Sequence, residues 1–255
     1  MEIISLDIGG KMAHFRKYYA NNTALSYTIP PRTTVMGMLA AILGRERDDY
    51  YEELASEKLR VGIRVMTPLK KSFHRLNFLS IKNSDDFSGK GGSIQTPFEI
   101  VTGFNLVTDW VTYRLFLSCT AEGNSIFDEI KSVLWERKQV YNLTMGTANF
   151  TASVLNTSIF KEVLPIESRD WISINSAVVS DTVTQLNFEK DVTGTTNFLE
   201  EELFPADFIS NQNREVRKMV RSIYSTRNLP FEVKLKIPFY ALSNEIEVQN
   251  IVFLE

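Results

Sequence analysis

The first residues alternate. Ile4, Leu6 and Ile8 fall on one face of residues 2–8, and Ser5 and Asp7 on the other, the pattern of a half-buried strand. Gly9-Gly10 ends it, and residues 11–25 form a polar and aromatic loop. The period then changes. Pro30 and Pro31 set a rigid corner, and Thr33 or Thr34 is placed to cap the first turn of a helix. Val35, Leu39, Ile42 and Leu43 give that helix one apolar face, and Gly44 suits its left-handed stop. Gly37, Ala40 and Ala41 keep one side narrow enough to lie close on a sheet. A second helical piece is expected over 48–56. Residues 58–66 return to period two, with Leu59, Val61, Ile63 and Val65 inward and Lys58, Arg60, Gly62 and Arg64 outward.

Residues 67–105 are too long for a plain connection and read as a long hairpin, a thumb with a polar tip over 83–92. Val111, Tyr113, Leu115 and Leu117 alternate as a third strand. A helix over 126–138 follows, with Ser125 and Asp128 approximating a capping box, and a fourth strand falls within 150–164. Strand, helix, strand, thumb, strand, helix, strand is the ferredoxin-like (RRM-like) βαββαβ plan with an insertion, an α+β fold. Past Pro165 a smaller C-terminal antiparallel β region is expected. It comprises paired strands over 171–180 and 182–188, an irregular acidic stretch over 191–213, a short helix over 214–224, an alternating strand over 231–239 and a last strand over 246–254. The expected division is therefore 1–165, with the thumb at about 67–105, and 166–255.

Composition narrows the function. No apolar run approaches the length of a membrane span, and MEIISLDIGG has no basic leader, so a cytoplasmic protein is expected. The single cysteine, Cys119, fits a reducing compartment. With only His14 and His74 beside it, no zinc cluster, metal or cofactor is expected. The net charge of −3 argues against nucleic acid, but its distribution is uneven. Residues 58–82 carry seven basic residues and no acid, whereas Glu200-Glu201-Glu202 gathers acids elsewhere. One basic face on an acidic molecule is compatible with that pattern.

Three stretches carry candidate chemistry. Arg32 stands at the helix entrance, where backbone N–H groups and the helix dipole favour an anion such as phosphate. Lys11, His14, Phe15, Arg16, Lys17, Tyr18 and Tyr19 interleave cations with rings in the preceding loop. That suits single-stranded RNA, and equally a loop anchored to the core by Phe15 and Tyr18. Arg60, Arg64, Lys70, Lys71 and Arg75 form the acid-free run, with Lys90 at the thumb tip.

The run SYTIPPRTTVMGMLAAILG over 26–44, after an N-terminal strand and Phe15, resembles the N-terminal signature of the Cas-five family. These are RAMP-type subunits of type I CRISPR surveillance complexes, and the resemblance is greatest to the type I-B branch. It implies a non-catalytic crRNA-binding subunit of Cascade that caps the 5′ handle. The implied partners are crRNA, the Cas-seven backbone subunit and the Cas-eight large subunit, with target DNA near the PAM left open. The handle would lie between the first helix, the loop before it and the thumb. Lys11, Arg16, Lys17 and Arg32 would take phosphates, Arg60, Arg64, Lys70, Lys71 and Arg75 would line the groove or thumb base, and Tyr18, Tyr19 or Phe15 would stack. The family's small-residue loop between second helix and fourth strand would correspond to Gly146 and Thr147, reduced here to a single glycine.

Two other readings stand beside this one. A metal-independent endoribonuclease needs a general base near a bent phosphodiester, and His14 with Lys17, Tyr18 and Tyr19 is a conceivable set. The adjacent Lys-His pair of the family's processing branch is missing. A protein-only assembly module is the third.

Overall fold

The computed structural model describes residues 1–20, 23–187, 197–209, 213–244 and 247–255. It is mostly strand with two α-helices among the described residues. The central sheet is built from β1 (Ile3–Gly10), β2 (Leu59–Val65), β5 (Val111–Cys119), β6 (Leu143–Thr144) and β7 (Thr151–Phe160). Its order is β2-β5-β1-β7-β6, antiparallel throughout. Helices α1 (Arg32–Leu43) and α2 (Asn124–Trp135) follow β1 and β5. Both pack on the sheet face carrying Ile4, Leu6 and Ile8, the residues the alternation turns inward. The mixed α and β architecture is therefore as expected.

The long hairpin also forms. Its strands β3 (Lys70–Leu79) and β4 (Ser93–Thr102) pair over their full ten residues, from Lys70↔Thr102 to Leu79↔Ser93. Its base is pinned by the loop before α1. Ala13 and Val101 exchange backbone hydrogen bonds of 2.9 and 2.8 Å, and the Glu99 carboxylate accepts from the Ser26 N–H at 2.7 Å.

Several local expectations give way to tertiary contacts. Residues 48–56 are turns rather than helix, with Asp48 at φ 66°. Neither threonine caps α1. Pro31 precedes it, and the Pro31 carbonyl accepts from Thr34 and Val35. The expected capping box of α2 is absent too. Gly44 does close α1, at φ 74°.

The C-terminal half comprises β8 (Ile172–Ile174), β9 (Val183–Leu186), β10 (Leu199–Phe208), β11 (Val216–Ser225), β12 (Phe231–Leu235), β13 (Phe239–Ser243) and β14 (Val248–Ile251). The expected helix over 214–224 is strand β11, paired with β10. β8 and β9 do not pair with each other but flank β12. The expected irregular stretch contains β10, while residues 188–196, 210–212 and 245–246, on which the neighbouring expectations fall, lie outside the described residues. Ala177, Phe204, Tyr224 and Leu254 join the core built around α1, so chain on both sides of residue 165 shares one core. The other sheet face is covered where Tyr240, Leu242, Ile251 and Phe253 meet Ile3 and Phe116. Among the described residues no helix is long and apolar enough to cross a membrane.

Candidate nucleic-acid interface

A cleft of about 380 Å³ opens at the start of α1. Pro31, Thr33, Thr34, Gly37, Met38 and Ala41 form one wall. This helix start has no side-chain cap and no acid in its first turn. With the Thr34 and Val35 N–H groups taken by the Pro31 carbonyl, the N–H groups ahead of them and the positive end of the dipole are what this start offers an anion. His14, Phe15, Arg16 and Tyr18 supply the second wall, and Asn142, Thr144, Gly146 and Thr147 the third. Tyr50, Tyr51, Pro205, Phe208 and Arg214 close it.

The walls meet through close backbone packing. His14 N–H donates to the Met145 carbonyl at 3.0 Å. Gly146 has φ 92°, and a Cβ built on it would stand 2.0 Å from the His14 carbonyl oxygen. Only glycine allows that approach. The neighbouring Thr147 hydroxyl is buried and has no partner among the described residues. On the far side Arg214 pairs with Asp48 at 2.9 Å, and Asp48 also accepts from the Tyr51 hydroxyl.

His14 is buried, and burial holds its imidazole below the usual histidine range despite the Glu99 carbonyl on Nδ1 at 2.7 Å. A carbonyl can only accept, so Nδ1 carries the proton. The ring stacks on Phe98, with centroids 4.0 Å apart.

The nominated cations divide. Arg16 lines the cleft and is exposed. Arg32, nominated for phosphate, is instead fully buried. Its guanidinium pairs with Asp207 at 2.6 Å and Glu255 at 2.9 Å, and donates to the Ala206, Leu54 and Leu59 carbonyls. No donor is left for a ligand in the cleft. Arg64 is similarly taken, buried against Glu247 at 3.0 Å and Gln249 at 2.8 Å. Lys17 pairs with Glu202 at 2.5 Å. Burial alone would lower its ammonium pKa, but the Glu202 hydrogen bond and charge raise it above the usual value. Lys71 shares the same acids, 3.6 Å from Glu202 and 3.8 Å from Glu200. The acidic triplet, read as a separate surface, thus neutralises part of the basic run.

The remaining candidates lie apart. Arg75 and Lys90 are exposed on the thumb and Arg60 is half-exposed on β2. Lys11 and Lys70 lie outside the cleft lining, at the loop of residues 103–110. Tyr19 is exposed and stands edge-on to Tyr18. Sequence reasoning missed Tyr50, Tyr51 and Arg214, which only the turn after α1 and the strand hairpin bring to the cleft. Among the described residues no group of three or more His, Cys, Asp or Glu could hold a metal ion.

Residues 3–101 match the family model described as CRISPR-associated protein (Cas_Cas5). No curated protein is matched. Among solved structures, a CRISPR protein from Archaeoglobus fulgidus superposes with TM-score 0.59 at 15% identity, covering 99% of this chain and 100% of its own. A chain of a CRISPR RNA-guided surveillance complex superposes with TM-score 0.51 at 17% identity, covering 91% of each. At such identities these likenesses concern the fold.

Proposed function

The chain belongs to the CRISPR-associated Cas-five family, and from that premise we propose that it is a non-catalytic subunit of a CRISPR effector complex that holds the 5′ handle of a crRNA. The observation that carries this reading is the cleft at the start of α1. It joins an uncapped helix start, an exposed arginine and tyrosine two residues apart, and a glycine-tight loop, drawn from three separate parts of the chain. A helix start binds phosphate through backbone N–H groups, Arg16 adds an exposed cation, and Tyr18 offers a ring for a splayed base. The thumb, with Arg75 and Lys90 exposed, would follow the strand as it leaves. The sheet order with both helices on one face supports the ferredoxin-like plan for residues 1–165, the rest being an elaboration that shares its core. Cas-seven and Cas-eight type subunits would be its neighbours, and the type I-B assignment rests on residues 26–44.

Thr34→Glu tests this. A carboxylate in the first turn suits the helix dipole, so folding is preserved while phosphate is repelled. Affinity for labelled handle RNA should fall at least about tenfold. Unchanged affinity overturns the reading.

A second reading, metal-independent cleavage, has one observation in its favour, that His14 lines the same cleft. Incubation with repeat RNA without metal decides it. Site-specific cuts lost on His14→Ala would establish the nuclease.

A further inference from the structure

Away from the α1 cleft, the loop of residues 103–110 gathers rings and cations that do not line that cleft. The Arg227 guanidinium lies between two rings, 4.5 Å from the centroid of Phe104 and 4.4 Å from that of Phe198. Lys70 Nζ stands 5.8 Å from the Phe104 centroid and donates to the Phe104 carbonyl at 3.0 Å. At the other end of the loop Lys11 Nζ stands 5.4 Å from the Trp110 centroid and donates to the Val107 carbonyl at 2.8 Å. Phe104, Phe198 and Trp110 remain 46%, 50% and 41% exposed.

The loop is closed by hydrogen bonds. Asp109 N–H donates to the Asn105 carbonyl at 2.9 Å, and the Thr67 hydroxyl holds the Trp110 carbonyl at 2.7 Å. Its one acid is tied down, since the Asp109 carboxylate accepts from Asn105 N–H at 2.8 Å and the Thr108 hydroxyl at 2.9 Å. Beside Trp110 a cavity of about 260 Å³ runs along Gly9, Gly10, Lys11 and Thr151.

We propose that this loop, with Lys11, Lys70, Arg227 and Phe198 around it, is a second platform for single-stranded nucleic acid. Three cations sit on three half-exposed rings, which matches a strand that alternates phosphates with flat bases. A protein partner is the poorer fit. The centre of a protein interface is depleted of charge, whereas here each ring carries a cation whose desolvation would oppose burial. Lys11 and Lys70, which the sequence nominates for the handle, serve this surface instead. The inference does not depend on the α1 cleft.

The test uses the full chain carrying Trp135→Phe and Trp171→Phe, which leaves Trp110 as the only tryptophan. Dodecamers of uridine RNA and of thymidine DNA are titrated separately. Saturable quenching of Trp110 is expected, weakened at least about fivefold by Phe104→Ala and by Arg227→Ala, the low end for one stacked ring. Thr34→Glu should leave the quenching in place. A response to both strands marks a platform that ignores the sugar, and a response to one marks a platform that reads it. Trp110 emission unmoved by either strand overturns the proposal, as does quenching that disappears with Thr34→Glu. Emission that responds to partner subunits but to neither oligonucleotide makes the surface a protein interface and also overturns it.

Discussion

Arg32 and Asp207 stand 2.6 Å apart with side chains 0% and 2% exposed, joining the first turn of α1 to strand β10. Glu255 accepts from the same guanidinium at 2.9 Å, and the Ser56 hydroxyl donates to the other Asp207 oxygen at 2.5 Å. The residue that marks the helix entrance in the sequence is thus a tie between the two halves of the chain. Removing one partner of a buried pair leaves an uncompensated charge, which costs about 3–5 kcal/mol. Arg32→Ala should lose that much in chemical denaturation. Handle affinity per folded molecule should be unchanged, because the guanidinium is fully engaged away from the cleft.

Why Arg32 misleads is a matter of direction. A helix start favours anions on general grounds, and that rule holds for the backbone of α1. It says nothing about where the side chain points, and the partner Asp207 lies 175 residues away. Local periodicity, by contrast, is readable. β1, α1, β2 and β5 follow from alternation or a 3.6-residue repeat, and the thumb from a stretch too long for a plain connection. Residues 216–224 show where that method runs out. Val216, Val220 and Ile223 fit a helix, yet Val220, Ser222 and Tyr224 are the buried positions, because β10 is there to pair with. At the cleft, Arg16, Tyr18, Gly146 and Thr147 are legible as a basic aromatic loop and a small-residue loop. Tyr50, Tyr51 and Arg214 are not, since nothing local distinguishes them from surface residues.

Salt dependence separates free cations from engaged ones. For a single strand, removing one phosphate-binding cation reduces the slope of log affinity against log salt by about 0.7. Arg16→Ala should show that reduction with handle RNA. Lys17→Ala and Arg214→Ala should not, because Glu202 and Asp48 already hold their charges. Arg214 is 48% exposed in its pair with Asp48, so its loss should cost no more than about 1 kcal/mol of stability. Affinity titrations from low to physiological salt check all three.

Gly146 fixes how closely the third wall approaches the second. Alanine there must adopt φ near 92° and place its Cβ against the His14 carbonyl. The backbone strain alone is about 1–3 kcal/mol, and the clash adds to it. Gly146→Ala should lower the melting temperature and also weaken handle RNA, since His14 N–H is bonded to Met145, next to the glycine. Ala148→Gly, two residues on and exposed, should do neither.

His14 and Glu255 make stability respond to pH in opposite directions. Burial holds the His14 imidazole below its ordinary 6.5, so the unfolded chain takes up that proton more readily. Its effect is to lower stability as pH falls through 6.5 and below. The Glu255 carboxyl is pushed up to about 7 by burial, against the pull of Arg32, compared with an ordinary 4.5. Between those values the folded chain holds a proton that the unfolded chain has released, so stability falls as pH rises from 4.5 to 7. Glu255→Gln keeps the neutral form at every pH and should remove the falling limb, gaining on the wild type between about pH 5 and 7.5. His14→Gln should remove the acid limb instead, gaining on the wild type below about pH 6. Denaturation midpoints of the three proteins across roughly pH 4.5–8 measure both limbs, and a Glu255→Gln variant that parallels the wild type throughout would show that this carboxyl ionises normally in the fold.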